Sequence, residues 1–376
     1  MPVDLDEMFD AFRVDADALP LNSPRQVRRL GRRLRLIRFS ATFAATCAVI
    51  IGIAAVVTPL RQHLAPSVAE PPGIGARLTF DASADVVNGL AYSPDGQFLA
   101  TAGQDGAVRL WDAQTGRPTT IFTMPSAIVI QVAFSPDGTT LAASDATGAI
   151  RLWDRATDQT IRTLAADRSG PVTDIAFSPD GATLATANED GPVRLWPTAG
   201  GQPSVIRPPN LRVIQCALSP DGRYVVAGGQ TVDQGGRQNT IGIWDTRTLA
   251  SAQTLDAFTN VLTSVAFSPD GRTFAAGDVD GRIWLWTMGS PAPRARLVAA
   301  TGRGVLLVSD LAFSPDGRWL ASAGAKQSTK LWDAATGSLV ASFDGPSGGM
   351  STVAFSPDGR TLAGAGYGEV RLWDVP

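Results

Sequence analysis

One alternation of apolar and polar positions recurs along most of the chain. Short apolar stretches, such as residues 86–92 and 128–134, each precede a Ser-Pro-Asp-Gly sequence, a second apolar stretch, and a third that ends in tryptophan. Ser-Pro-Asp-Gly occurs seven times, with 42, 43, 41, 49, 46 and 42 residues between successive prolines. Proline at the second position and glycine at the fourth suit a tight turn, so each repeat predicts consecutive antiparallel strands. The repeated tryptophans are Trp111, Trp153, Trp196, Trp244, Trp286, Trp332 and Trp373.

This period and these residues carry a resemblance to a known family. Residues 77–375 resemble a WD-repeat β-propeller of the bacterial kind, whose repeats are four-stranded blades. The resemblance implies an all-β fold, a seven-bladed β-propeller of antiparallel blades, over residues 76–376. The last repeat supplies only three strands, and residues 77–80 resemble the outer strands at 120–122 and 340–343. We therefore expect residues 77–80 to pair with the last blade and close the ring.

The repeats also depart from the family pattern. The Gly-His dipeptide that usually precedes each blade is absent, because the only histidine, His63, lies before the repeats. The hydrogen-bonded network that this histidine anchors in many family members cannot form here. The third repeat ends in Trp196-Pro197 instead of Trp-Asp, and the fifth carries both Trp284 and Trp286.

Residues 39–60 form an apolar segment without a charge, long enough to predict a single transmembrane helix. Seven arginines lie between residues 25 and 38, so the positive-inside rule places residues 1–38 in the cytoplasm and the repeats outside it. A cleaved signal peptide, with a small-residue site at 67–69, and a twin-arginine export signal are the alternatives. Small residues every four positions (Ser40, Ala44, Ala48, Gly52) indicate either helix association in the membrane or chance in an alanine-rich segment.

Two segments flank the predicted membrane helix. Leu5, Met8, Phe9 and Phe12 recur at helical spacing, which predicts a short amphipathic helix in the tail. Residues 4–14 either bind a cytoplasmic partner or form a largely disordered tail. Residues 61–75, rich in proline and alanine, are predicted to be a linker.

Charge and cysteine content exclude several classes of protein. The net charge is −3, and outside residues 25–38 no concentration of basic residues indicates nucleic-acid binding. Lys326 and Lys330 are the only lysines among 32 basic residues, a bias that indicates a GC-rich, bacterial source. Cys47 lies in the apolar segment and Cys216 in the repeats, so no intrachain disulfide is expected.

No catalytic, cofactor-binding or metal-ligating set emerges from the sequence. The repeats contain no histidine, which excludes a Ser-His-Asp triad and a histidine-ligated metal there. The aspartates of Ser-Pro-Asp-Gly fall at equivalent turns on one rim, so we interpret them as turn formers. The repeated tryptophans are interpreted as packing between blades.

The loops on the face opposite the Ser-Pro-Asp-Gly turns are the least regular, and loops of this kind usually carry specificity. An insertion at residues 230–240 accounts for most of the longest repeat spacing. Further acids on this face are Asp105, Glu189 and Asp278. The residues predicted to contact a partner are Asp233, Arg237, Arg303, Leu306, Lys326, Asp190 and Asp280.

Three functional hypotheses follow. The first is a non-enzymatic scaffold, anchored in the membrane and binding a protein or peptide outside the cytoplasm. The second is a transmembrane sensor, in which the propeller binds a signal and the N-terminal tail acts inside. The third is a propeller hydrolase, which would need carboxylates or histidines facing the central channel.

Overall fold

The Ser-Pro-Asp-Gly turns explain why the chain folds into paired strands. Gly96 N–H donates to the Ser93 carbonyl at 2.8 Å, and the Ser93 hydroxyl accepts from Phe98 N–H at 2.9 Å. Gly96 has a φ of 71°, a left-handed conformation that a residue with a side chain adopts only with strain. The corresponding glycine has a φ between 66° and 72° in all seven copies, so the predicted turn is confirmed.

The computed structural model describes residues 73–376 except 125–127, 166–169, 190, 210, 232–238, 259–260, 290–295, 301–306, 325–327 and 346–348. Regular structure in these ranges consists of β-strands alone. Within them, no helix of the length and apolar character needed to cross a membrane is found. The predicted tail (residues 1–38), membrane helix (39–60) and most of the linker (61–75) lie outside the described residues.

The strands follow one another along the chain with short connections. The first thirteen are β1 (Gly73–Ile74), β2 (Leu78–Tyr92), β3 (Phe98–Gly103), β4 (Ala107–Asp112), β5 (Pro118–Thr123), β6 (Val129–Phe134), β7 (Thr140–Asp145), β8 (Ala149–Asp154), β9 (Thr160–Ala165), β10 (Val172–Phe177), β11 (Thr183–Asn188), β12 (Val193–Pro197) and β13 (Ser204–Ile206). The others are β14 (Leu211–Leu218), β15 (Tyr224–Thr231), β16 (Asn239–Asp245), β17 (Ser251–Phe258), β18 (Leu262–Phe267), β19 (Thr273–Asp278), β20 (Arg282–Thr287), β21 (Arg296–Ala300), β22 (Val308–Phe313), β23 (Trp319–Gly324), β24 (Ser328–Asp333), β25 (Leu339–Asp344), β26 (Met350–Phe355) and β27 (Thr361–Asp374).

These strands form a series of antiparallel sheets. Four sheets have four strands each, in the orders β6-β7-β8-β9, β10-β11-β12-β13, β14-β15-β16-β17 and β18-β19-β20-β21. A five-stranded sheet has the order β1-β25-β24-β23-β22, and a six-stranded sheet the order β26-β27-β2-β3-β4-β5. Consecutive strands pair because the tight turns bring them together antiparallel, as the sequence predicts.

The six-stranded sheet exists because β2 is long and has two partners. Its first part pairs with β27, with Leu78 opposite Leu372 and Phe80 opposite Val370. Its second part pairs with β3, with Tyr92 opposite Leu99. The predicted pairing of residues 77–80 with the last repeat is therefore confirmed, and we call residues 78–81 of β2 the closing strand.

The end of the predicted linker contains a strand that the sequence does not reveal. β1 pairs in parallel with β25, placing Gly73 opposite Ser342 and Ile74 opposite Phe343. Two residues are too few for a periodic pattern, so no sequence signal marks this strand. Its consequence is that the outer edge of the β22–β25 sheet is covered at this point.

The sheets contact one another in a closed cycle. The first strand of each repeat touches the next one, in the order β2, β6, β10, β14, β18, β22, β26 and back to β2. The seven turns close in the same way. A methyl group placed at the glycine of one turn would lie 3.3 to 3.6 Å from the proline ring of the preceding turn, and Gly96 meets Pro357. One rim of the ring is thus a continuous circle of turns.

The hydrophobic core is divided among the interfaces between consecutive sheets. Seven clusters of buried side chains are found among the described residues, and each contains one of the repeated tryptophans. These tryptophans are at most 7% exposed. Three of them donate from the indole N–H to a hydroxyl: Trp111 to Thr101, Trp196 to Thr186 and Trp332 to Ser322. Each tryptophan is therefore a packing residue between two sheets.

Candidate interaction site

Most of the residues predicted to contact a partner cannot be placed. Asp233, Arg237, Arg303, Leu306, Lys326 and Asp190 lie outside the described residues. Asp280 is described and exposed, in the hairpin between β19 and β20, where its carboxylate lies 3.4 Å from the Arg282 guanidinium. The role of these seven residues in binding a partner therefore stays a prediction.

The acidic residues near this face carry less free charge than the sequence suggests. Asp105 forms a salt bridge with Arg109 at 2.6 Å, and Glu189 is paired with Arg212. Asp278 is only 1% exposed. Its carboxylate accepts the backbone N–H groups of the hairpin that follows, and burial raises its pKa to about 6. Asp278, expected from the sequence to add negative charge to this face, instead forms the hairpin.

A tyrosine on the same face was missed by the sequence analysis. Tyr367 lies in β27 at the end of the hairpin furthest from the preceding Ser-Pro-Asp-Gly turn, and 58% of it is exposed. In this repeat Tyr367-Gly368 stands where other repeats have Asp-Gly. Exposed aromatic side chains often contact the partner in protein interfaces. The replacement of the hairpin aspartate by tyrosine is the sequence signal that could have identified Tyr367.

The first strands of the repeats, which contact one another around the ring, carry a polar side chain at one shared position in six of the seven repeats. Each first strand carries a register shift, and the residue that follows the shift lies four positions before the serine of the turn. A bulge of this kind re-aims the side chain beside it. The residues at this position, which we call the inner belt, are Gly89, Gln131, Asp174, Gln215, Ser264, Asp310 and Thr352.

Asp174 is the most deeply buried carboxylate of the inner belt. One oxygen accepts from Ile175 N–H at 2.9 Å and from the Gln131 amide at 3.3 Å. The other accepts from Cys216 N–H in the next first strand at 3.1 Å. Burial raises the pKa of Asp174 to about 7, opposed by the Cys216 hydrogen bond and increased by the charge of Asp310.

Asp310 likewise joins two neighbouring first strands, β22 and β26. It accepts from Leu311 N–H at 2.8 Å on its own strand. It also accepts from the Thr352 hydroxyl at 2.8 Å and from Val353 N–H at 3.0 Å on the next. Burial raises its pKa to about 6. Gln215 makes an equivalent bond, accepting from Val265 N–H at 2.9 Å.

Asp174 and Asp310 are buried carboxylates on the first strands, and neither was among the candidate residues predicted from the sequence. The signal was present, because a polar residue interrupts an apolar strand at one fixed offset before six of the seven turns. Their oxygens, however, accept hydrogen bonds from fixed donors of adjacent strands. We assign them a structural role, in which they tie neighbouring first strands together.

Cys216 and the remaining acids offer no further reactive site within the described part of the chain. Cys216 is 3% exposed, and burial together with the nearby charge of Asp174 raises the pKa of its thiol, which keeps it in the unreactive protonated form. No group of three or more histidine, cysteine, aspartate or glutamate side chains in the described ranges is arranged to hold a metal ion.

Comparison with known proteins identifies the repeats. A family model described as "WD domain, G-beta repeat" matches residues 76–112, 116–154, 158–197, 250–287, 299–333 and 337–374. These segments cover more than half of the chain. The stretch between the third and fourth segments, residues 198–249, contains the first three strands of the β14-β15-β16-β17 sheet and a Ser-Pro-Asp-Gly turn of its own.

One curated relative is similar over a single repeat-sized stretch. Human striatin-4 (Homo sapiens) is 46% identical over 43 residues, which is 11% of this chain and 6% of striatin-4. The chain thus matches a small fraction of that relative's length, and the similarity concerns the repeat.

Proposed function

The chain belongs to the WD-repeat family, and from this premise we propose that it is a non-enzymatic scaffold that binds a protein or peptide outside the cytoplasmic membrane. WD-repeat domains generally bind protein partners. The observation that carries the proposal is the closed cycle of sheets, which holds the loops of one face in fixed relative positions. Binding loops on a rigid support lose less conformational entropy when a partner docks.

We assign the ring seven blades. The six-stranded sheet then comprises two blades that share β2, and each of the other sheets supplies one. Support comes from the seven buried clusters between sheets and from the seven turns that meet in a circle. In this assignment the fourth blade is the β14–β17 sheet, and residues 198–249, which the family model leaves unmatched, include its first three strands.

The membrane anchor is the second part of the proposal. Residues 39–60 would cross the membrane once, with residues 1–38 in the cytoplasm. The arginines before the apolar segment and their scarcity after it support this orientation.

The partner is expected on the face opposite the Ser-Pro-Asp-Gly turns. Those turns are nearly identical in sequence and conformation, so they offer little that could distinguish one partner from another. The opposite face combines Tyr367, Asp280 and loops of different lengths, including the insertion at residues 230–240. Such variation supports specificity.

Reporter fusions that are active only outside the cytoplasm test the location. We expect activity for fusions after Ala69 and after Pro376, with the full-length protein in the membrane fraction. A fusion after Arg38 is the matched control and should be silent. If the fusions after Ala69 and after Pro376 are both stable but silent, the propeller lies in the cytoplasm. That result would favour an intracellular scaffold.

A further inference from the structure

The third repeat breaks the pattern of the turn that follows the tryptophan. In four other repeats an aspartate follows, and its carboxylate accepts the N–H of a threonine three residues later at 2.7 to 2.9 Å. These aspartates are Asp112, Asp154, Asp245 and Asp333. The third repeat has Pro197 instead and continues Thr198-Ala199-Gly200-Gly201. It therefore has no carboxylate at this point.

The altered turn holds an arginine from the neighbouring sheet. Arg162, in β9, donates from Nη2 to the Ala199 carbonyl at 2.8 Å. Gly200 has a φ of 108°, and a methyl group there would overlap the Arg162 guanidinium. The positive φ favours glycine at this position, and the hydrogen bond to the Ala199 carbonyl holds the Arg162 guanidinium against the turn.

This arginine lines a cleft at the outer surface of the ring, between the β6–β9 and β10–β13 sheets. The cleft has a volume of about 460 Å³, and Arg194 and Arg207 line it together with Arg162. Arg194 is buried, at 4% exposure, and Arg207 is exposed. Leu164 and Trp196 supply apolar walls. None of its described lining residues is acidic.

The arginine at position 162 is not required by the repeat. Arg162 lies opposite Leu152, and the equivalent outer-strand positions are occupied by Thr120 in β5, Ser204 in β13 and Gln253 in β17. In β21 the position is occupied by Arg296, whose side chain lies outside the described residues. The uncharged residues in β5, β13 and β17 show that the fold itself does not need a cation at this position.

Arg162 and Arg207 add positive charge to the cleft beyond the arginine of the repeat itself, Arg194. Arg109 occupies the position of Arg194 in the first repeat and is paired with Asp105, four residues earlier. The equivalent acid for Arg194 is Asp190, which lies outside the described residues. A pair between them would still leave Arg162 and Arg207 as cations. In addition, Arg162 Nε is buried without a hydrogen-bond partner, which is unfavourable unless a ligand supplies an acceptor.

We propose that this cleft binds the phosphate group of a small ligand. Guanidinium groups match phosphate through pairs of parallel hydrogen bonds, and the apolar walls keep water from screening them. A phosphate group carries a charge of about −1.5 to −2, which two or three arginines balance better than they balance a carboxylate. The site is separate from the partner-binding face and does not depend on its assignment.

Calorimetric titration of the full-length protein with pyrophosphate, at constant ionic strength, tests the site. We expect saturable binding to one site, weakened about ten-fold or more in Arg162→Gln and in Arg207→Gln, because each removes charge-assisted hydrogen bonds. Arg272→Gln, an exposed arginine beside another turn, is the matched control and should bind as the unmodified protein does.

Acetate at the same ionic strength distinguishes phosphate from carboxylate. It should not compete at concentrations where inorganic phosphate does, and equal competition would overturn the assignment to phosphate. Absence of saturable binding, or unchanged affinity in both cleft variants, would overturn the site itself. A circular dichroism spectrum of each variant excludes unfolding as the cause of lost binding.

Discussion

Asp174 shows how the surroundings of a side chain in the inner belt determine its pKa. Its carboxylate is buried and accepts three hydrogen bonds, yet its pKa is raised from the ordinary 3.8 to about 7 because burial outweighs those bonds. The folded protein therefore binds more protons than the unfolded chain between about pH 4 and pH 7. The free energy of unfolding should fall as pH rises through this interval.

The substitution Asp174→Asn tests this dependence. Asparagine stays neutral and keeps one acceptor oxygen, so the difference in unfolding free energy between pH 5 and pH 8 should shrink by on the order of 1 kcal/mol. Urea denaturation of the full-length protein at both pH values measures it. Asp270→Asn is the control, because the Ser268 hydroxyl and Arg272 N–H hold the pKa of Asp270 below its ordinary value, outside this interval. An undiminished difference in Asp174→Asn would contradict the account.

At the residue scale, sequence predicts turn formers better than it predicts site residues. The conformation of Gly96 follows from four adjacent residues, since the turn is local. The bridging role of Asp174 depends on a bulge and on a donor in the next repeat, Cys216 N–H. Contacts between repeats leave no local pattern, and only alignment of all seven copies reveals the polar position.

At the scale of elements, the closing strand has the largest effect on the ring. Phe80 in this strand packs on Trp111 with ring centroids 4.8 Å apart, and Leu78 lies against the same cluster. The strand thereby joins the last repeat to the first through both backbone pairing and side-chain packing.

We expect Phe80→Ala to lower the free energy of unfolding by about 2 kcal/mol, because it removes a half-buried aromatic side chain from this junction. Ile121→Ala, in the outer strand β5, changes a side chain that is 58% exposed and should cost less than about 0.5 kcal/mol. Chemical denaturation compares the two. Equal effects would mean that the closing strand stabilises the ring no more than an exposed position does.

The sequence predicts most strands because the turns and the apolar stretches repeat seven times. Even the closing strand is predicted, since residues 77–80 resemble outer strands elsewhere. β1 is not, because Gly73 and Ile74 form a strand only where the exposed edge of β25 accepts their backbone groups. Its formation is a tertiary effect.

At the scale of the whole molecule, the ring separates two kinds of surface. One rim is a circle of equivalent turns in which the glycine of each turn lies beside the proline ring of the preceding turn. The other face carries Tyr367 and Asp280, together with loops that differ between repeats. The proposed partner should depend on the second surface alone.

The substitution Tyr367→Ala tests which of the two surfaces binds the partner, once a partner that binds the full-length protein has been isolated. Exposed aromatic residues often contribute 2 kcal/mol or more at the centre of an interface, so affinity should fall about ten-fold or more. Asp95→Ala, on the turn rim, should leave affinity unchanged. Loss of binding in Asp95→Ala but not in Tyr367→Ala would move the partner to the other rim. Surface plasmon resonance with the purified partner provides the affinities.

The pairing of β2 with β27 also determines when the protein can finish folding. The closing strand cannot pair until β27 has been synthesised, so the ring stays open while the ribosome translates all the repeats between them. Pairings between such distant parts of a sequence form slowly, and until then the strand edges at the junction stay open to aggregation. A truncated product that lacks β27 would keep those edges unpaired, so we expect it to aggregate more readily than the closed ring.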